Sequence, residues 1–299
     1  MSDWLISLEG TEAGRHLAMA LALLAAVLHA GFGAMQKGRF DPWIARGAID
    51  LCYGLMAVPF VLFVVPFPEP HMWPIFAGAF VIHTAYKMLQ ARAYSLGAYT
   101  VVYPVVRGTG PLVTVFAAGI VFGESYGALQ WAGVMTLIAG IFGLALYNYL
   151  KTRLDRGILK QALGMAFLTG ISVAAYTTFD AYGIRATADP FTFLAWFFMF
   201  DGIVMPLLVH RRLIRLDRAD RLPLARRAFI GALVAYFSFG SIMLATRLDK
   251  VGEAAVLRET STLFAALIGI VFLKETVGPR RTALMALIAL GAVMVEFGG

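Results

Sequence analysis

Apolar residues in this chain come in long unbroken runs rather than in short alternating patches. Crossing a hydrocarbon core takes about 20 apolar residues in a helix. Ten runs are long enough, at roughly 16–35, 46–67, 73–94, 98–122, 126–149, 159–184, 190–210, 228–248, 251–272 and 280–297, with ends good to about 2–4 residues. None shows the period-2 alternation of a barrel strand. The pattern therefore predicts an all-α membrane protein with ten transmembrane helices.

Polar residues break into some of these runs at helical spacing. His83, Lys87, Gln90 and Tyr94 share one face of the third span, and Tyr103, Arg107, Gly110 and Thr114 share one face of the fourth. Ser172, Tyr176 and Asp180 repeat every four residues on the sixth. On the ninth, Arg258, Thr262 and Ala265 line up, with Ser261 alongside and Glu259 about one residue's rotation away. The fifth and tenth spans carry no such stripe. The polar faces belong to a subset of helices, as expected of helices that surround a cavity.

At 1.5 Å per residue, Arg107 and Arg258 lie roughly 5 Å from the middle of their spans, and Lys87 about 6 Å from the middle of its own. Three cations at that depth cost on the order of 8–10 kcal/mol if left to lipid. They must face protein, water or a ligand. One account is internal neutralisation by Glu259, Asp180 and Asp201. The other is a site for an anionic or zwitterionic metabolite, because paired guanidinium groups suit a carboxylate or phosphate-type anion. The second account makes Lys87, His83, Tyr103, Arg107, Tyr176, Asp180, Arg258, Glu259 and Thr262 the candidate substrate-binding set.

Other residues have narrower readings. Asp201, near the middle of the seventh span, is a candidate partner for a cation or a carrier of a proton; His29 and His83 read either as groups that titrate in a proton-coupled cycle or as satisfied, neutral histidines. Pro104 and Pro111 each remove a backbone donor around Arg107, which makes a hinge or an ordinary packing kink. Asp50 is four residues from Arg46 and reads as a local ion pair. Glu124 and Glu275 close the fourth and ninth spans at water level and read as caps.

The two halves resemble each other at an offset of 151 residues. VVRGTGPL at 105–112 lies over VLRETSTL at 256–263, so Arg107 answers Arg258, and Glu124 answers Glu275. The unit contains five spans. Five is odd, so the second half enters the bilayer upside down relative to the first, as in secondary transporters built from inverted repeats. The expected organisation is an N-terminal segment at 1–15, a first repeat at 16–150, a linker at 151–158 and a second repeat at 159–299.

Composition agrees with a membrane protein: 60% of residues are hydrophobic, 14% are charged and the mean hydropathy is +0.77, against about 25% charged in soluble domains. The net charge of +7 does not point to nucleic acid, because its sources are spread over short loops. Of 25 Lys and Arg residues, 18 follow odd-numbered spans, which makes that side cytoplasmic and puts both termini outside. The N-terminus is acidic before the first run, which reads as a retained helix rather than a cleaved signal. The lone Cys52 allows no internal disulfide.

The passages ARAYSLGAYTVVYPVVRGTGPLVTVFAAGIVFGE, RLDKVGEAAVLRETSTLFAALIGIVFLKE, AAYTTFDAYGIR and HAGFGAMQK resemble the drug/metabolite transporter superfamily in its EamA-type branch of ten helices and two five-helix repeats. The chain departs from many members at His29, Ala30 and Gly31, where they carry Trp-Gly. The resemblance implies transport of small metabolites in a bacterial inner membrane, with amino-acid and metabolite exporters common in the branch. Membrane lipid and a small-molecule substrate are the expected partners; with no nucleotide-binding motif present, the protein either draws on a proton or ion gradient or is a facilitator. No cofactor or metal is expected. A membrane-embedded enzyme and a non-transporting structural or sensory protein are the alternatives. The chain has no HExxH, Walker A, CxxC or nucleophile-elbow motif to support the enzyme.

Overall fold

A computed structural model describes residues 2–36, 40–96, 99–151, 156–264, 267 and 278–298. The described residues form helices and the turns between them: α1 (Ser2–Ser7), α2 (Glu12–Gln36), α3 (Pro42–Phe63), α4 (Met72–Leu96), α5 (Tyr99–Phe122), α6 (Ala128–Lys151), α7 (Arg156–Ala186), α8 (Pro190–Asp201), α9 (Val204–Ile214), α10 (Arg218–Leu248), α11 (Val251–Arg258) and α12 (Pro279–Phe297).

Six of these are long and apolar enough to cross a membrane, and seven if α8 and α9 count as one span. Against the ten runs of the sequence, α4 falls short of that measure because His83, Lys87 and Gln90 dilute it. The apolar part of α12 is only Thr282–Phe297. Much of the ninth run, with Lys274 and the predicted Glu275 cap, lies outside the described residues.

Local chemistry sets several helix starts. Asp41 caps α3, accepting from the N–H groups of Trp43 at 2.9 Å and Ile44 at 3.2 Å, with Pro42 in the first turn. Asp189 caps α8 in the same way through Phe191 at 2.8 Å, with Pro190 behind it. In both, the carboxylate meets orphan amides and proline occupies a place that needs no donor. The run at 190–210 is not one straight helix: α8 and α9 meet at 41° after Asp201.

Packing joins elements distant in sequence. α2 lies on α10, and α7 lies on α4 and α5; α3 packs on α8, α9 and α10; α5 meets α11, and α6 runs along α12. The α6–α12 seam is tight because a Cβ on Gly291 would stand 2.6 Å from the Gly133 carbonyl oxygen, a separation no real Cβ adopts. The N-terminal α1 is tied down by Ser2, which donates to Asp189 at 3.0 Å, and by the following Glu9, 2.6 Å from Arg247.

The distribution of polarity is inverted relative to a soluble domain. Phe63 and Ile120 are more than four-fifths exposed on the outside, whereas Asp50, Glu259 and Ser261 are fully buried within. An apolar exterior around an ionic interior needs a solvent of hydrocarbon, not water.

Candidate functional site

The interior holds two ionic clusters. The first gathers on α3, α4, α7 and the end of α8. Arg46, Asp50 and Tyr53 project from α3 at i, i+4 and i+7, and His83 and Lys87 from α4 at i and i+4. The ammonium of Lys87 donates to Asp50 Oδ2 at 2.7 Å, to the Tyr53 hydroxyl at 3.0 Å and to the main-chain carbonyl of Asp201 at 2.7 Å. It also stands 2.8 Å from Asp201 Oδ1. Tyr53 in turn donates to Asp201 Oδ2. Arg46 holds the other oxygen of Asp50 at 2.7 Å.

The break between α8 and α9 explains why Lys87 sits there. A helix that stops inside a membrane leaves carbonyls without donors, and side chains must replace them. Lys87 and Tyr53 supply donors to Asp201 at that break. Gly202 permits the approach: a Cβ there would lie 2.6 Å from the Cα of Gly54 and 2.8 Å from the Asp50 carbonyl oxygen.

His83 completes this cluster. Its Nε2 is 2.8 Å from Asp180 Oδ2, and its Nδ1 is 3.9 Å from Asp201 Oδ1. Tyr176 and Phe197 wall the imidazole at 4.7 and 4.8 Å between ring centres.

The second cluster lies where α5 meets the end of α11. Arg107 donates through Nη2 to Ser261 Oγ at 2.9 Å and to the carbonyl of Arg258 at 3.3 Å. Its Nε stands 2.7 Å from Glu259 Oε2 but off the N–H axis. That contact is Coulombic, and among the described residues neither Glu259 oxygen accepts a hydrogen bond. Arg258 donates to Thr177 at 3.4 Å, and its guanidinium carbon lies 6.0 Å from the centre of the Tyr176 ring. Two guanidinium groups thus share one carboxylate, and all three side chains are buried.

Tyr176 separates the clusters and touches both. Beside it runs a cleft lined by Tyr176, Thr177, Asp180, Phe239, Thr246 and Arg258, with room for about one water. Two buried polar atoms of its walls have no hydrogen-bond partner among the described residues: Asp180 Oδ1 and Arg258 Nε. An aspartate and an arginine therefore line one small cleft.

The comparisons with known proteins follow this geometry. The model of the EamA-like transporter family matches residues 160–297. Those residues are similar to that family. Its apolar exterior and long apolar helices make the chain an integral membrane protein. A solved crystal structure of a protein shares the fold over 96% of this chain and 99% of its own, with a TM-score of 0.74 and 15% identity. An uncharacterized protein, y4nH, of Sinorhizobium fredii (strain NBRC 101917 / NGR234) is 32% identical over 77 residues. That match spans 26% of this chain and 66% of the relative's length.

The predicted residues fall into the two clusters. Lys87, His83, Asp180 and Asp201 meet in the first cluster, and Arg107, Arg258 and Glu259 in the second. Tyr103 lies with its ring centre 5.8 Å from the Arg107 guanidinium, and Thr262 is buried with an unpartnered hydroxyl among the described residues. His29 is partly buried against Phe32 and Phe239, with ring centres 6.4 and 6.5 Å away. Pro104 and Pro111 lie inside the continuous α5.

Glu124 is a cap, and its target is another helix. It accepts from the N–H groups of Val251 at 2.7 Å and Gly252 at 3.2 Å, at the start of α11, and Arg185 stands 3.6 Å away. Tyr126 donates to it, and burial together with that bond pushes the Tyr126 phenol well above its ordinary range. Sequence reasoning missed Tyr53, which the i, i+4, i+7 spacing from Arg46 through Asp50 could have revealed. It also took Asp50 for a partner of Arg46 alone, whereas Asp50 is fully buried between Arg46 and Lys87.

Proposed function

We propose that this protein is a secondary transporter that moves a small anionic or zwitterionic metabolite across the membrane by alternating access through a central polar chamber. In this reading the chain forms ten transmembrane helices in two inverted five-helix repeats, 16–150 and 159–299, with a cytoplasmic linker at 151–158. Both termini face outward from a bacterial inner membrane, and export is the direction the family likeness suggests. Packing that exchanges the halves supports the inversion: α2 lies on α10 as α7 lies on α4, and α3 meets α8, α5 meets α11 and α6 meets α12.

The observation that carries the reading is the pair of residues, Asp180 and Arg258, that line one small cleft and each keep a buried polar atom without a partner among the described residues, Oδ1 and Nε. Burying such atoms without partners costs about 1–3 kcal/mol each, and more where the group is charged. A guest with an anionic group at the arginine pole and a cationic group at the aspartate pole would satisfy both. A cleft with room for about one water is too small for a metabolite, since small-molecule sites run to a few hundred Å³. Entry of a metabolite therefore requires the helices to part.

The test is substrate flux in proteoliposomes. The panel is amino acids, organic acids and phosphonates, preceded by a thermal-shift screen of the purified protein. The expected result is saturable flux of at least one compound, lost in Arg258→Ala while the fold persists. A panel that neither shifts unfolding nor crosses the membrane sinks the reading. A compound returned chemically changed would instead make the protein an enzyme.

A further inference from the structure

We propose that Arg185 and Arg247 form a gate: each arginine ties off the end of the other's helix, and together they shut one end of the cleft between α7 and α10. That the gate serves transport rests on the transport reading above; that it bars the cleft does not.

The first support is the reciprocity of the contacts. Arg185, in the last turn of α7, donates through Nε to the Thr246 carbonyl at 2.8 Å and through Nη2 to the Asp249 carbonyl at 2.7 Å, where α10 ends. Arg247, in the last turn of α10, donates through Nη1 to the Ile184 carbonyl at 2.5 Å and the Thr187 carbonyl at 2.8 Å, where α7 ends. The last carbonyls of a helix lack intrahelical donors and carry the negative pole of its dipole, so a guanidinium answers both needs. An arginine reaching back to its own helix would do that without joining anything. The exchange fastens two helices to each other.

The second support is where the fastening lies. Asp180 of α7 and Thr246 of α10 line the cleft, one from each helix. Ile184 is one turn beyond Asp180, and Arg247 follows Thr246 directly. Along the helix axes, the arginines therefore stand within about 8 Å of the last residues that line the cleft. While these four bonds hold, α7 and α10 cannot part at this end, and the cleft keeps room for about one water.

The third support is that each arginine keeps a carboxylate outside the α7–α10 pair. Glu124 stands 3.6 Å from Arg185 and holds the start of α11, and the centre of the Phe122 ring lies 4.6 Å from the same guanidinium. Glu9, in the turn between α1 and α2, pairs with Arg247 at 2.6 Å. The four bonds that cross between α7 and α10 all end on neutral carbonyls. Parting the helices gives those carbonyls to water and leaves both ion pairs in place. Such a closure opens without stranding a buried charge, which a closure made of salt bridges between the helices would not do.

The test uses the full-length protein in lipid nanodiscs, which bare both faces, with Cys52→Ser as the background. Met243→Cys reports on the cleft, and Leu137→Cys, in the α6–α12 seam, on the fold at large. Both positions are buried, so a membrane-impermeant thiol reagent should label each slowly while the arginines are in place. Arg185→Gln with Arg247→Gln should speed labelling at Met243→Cys about tenfold or more, because the rate follows the population of the open form. Leu137→Cys should stay as slow as before. Arg247→Lys keeps the charge for Glu9 but loses the fork that reaches two carbonyls, and it should speed labelling as well. It decides the matter if the double variant does not fold. Unchanged labelling at Met243→Cys, or equal acceleration at Leu137→Cys, overturns the gate. Faster labelling without wild-type flux in proteoliposomes would refute transport and leave the gate standing. Flux with unchanged labelling would do the reverse.

Discussion

The guanidinium of Arg107 donates to the main-chain carbonyl of Arg258, 3.3 Å away and 151 residues further along the chain. The carbonyl is available because α11 stops at Arg258, and the following amides turn back to carbonyls three residues earlier. Lys87 does the same for the carbonyl of Asp201 where α8 stops. In both places a buried cation from the first half of the chain closes a helix break in the second half, as well as meeting a carboxylate. The charges therefore have two kinds of partner, and the predictions below separate them.

Removing Arg107 leaves Glu259 as a buried carboxylate whose other cation, Arg258, is 4.0 Å away. Arg107→Ala should destabilise the protein by about 3–5 kcal/mol. Arg107→Ala with Glu259→Ala should cost more than Arg107→Ala alone, because Arg258 then loses the carboxylate it shares and is left as a buried cation. Unfolding in detergent measures both, and a double variant as stable as the single one would mean that the Arg258–Glu259 contact is unimportant to the fold.

Lys87→Met strands Asp201, leaves Asp50 to Arg46 alone and should cost a similar amount, about 3–5 kcal/mol. Adding Asp201→Asn should restore only part of it, because the carbonyl at the end of α8 still lacks its donor. Complete recovery in the double variant would show that the main-chain contact contributes nothing.

Gly202→Ala forces a methyl group against the α3 backbone at Gly54. The expected loss is about 1–3 kcal/mol, together with displacement of Asp201 from Lys87. Gly31→Ala is the control, since nothing stands within 4 Å of a Cβ there, and it should be neutral or slightly stabilising. Equal melting temperatures for the two variants would contradict the close packing at the α8–α9 break.

The Glu124 latch predicts a response to alkali. The Tyr126 pKa is raised in the folded protein by burial and by its bond to Glu124. Its contribution to stability is therefore complete below the unfolded value of about 10 and declines as pH rises beyond it. Tyr126→Phe should flatten that alkaline decline, and Glu124→Gln should loosen α11 at any pH. Hydrogen exchange at Val251 and Gly252 reads the second effect directly. Unchanged exchange there would mean that the carboxylate does not hold the helix.

Much of the site was legible because periodicity survives folding. His83 and Lys87 share a face in the sequence and a cluster in space, and Arg107 meets the arginine that matches it in the second half. What spacing could not supply was direction across helices. Asp50 reads as the local partner of Arg46, since nothing in the α3 sequence announces that Lys87 of α4 will reach it. Gly54 and Gly202 were equally silent: a glycine's reason is the backbone it touches, here 148 residues from its own. The two prolines of α5 drew attention to a helix that continues through them, while the interruption fell at Asp201, in a run with no proline before it until Pro190.

The α6–α12 seam, closed where Gly133 and Gly291 touch, lies apart from the ionic interior and carries no polar stripe. Its backbones have no slack to slide along each other. In the proposed transporter it would act like the spine of a book: the covers swing while the binding stays shut, and a passage for solute opens along some other edge of the molecule.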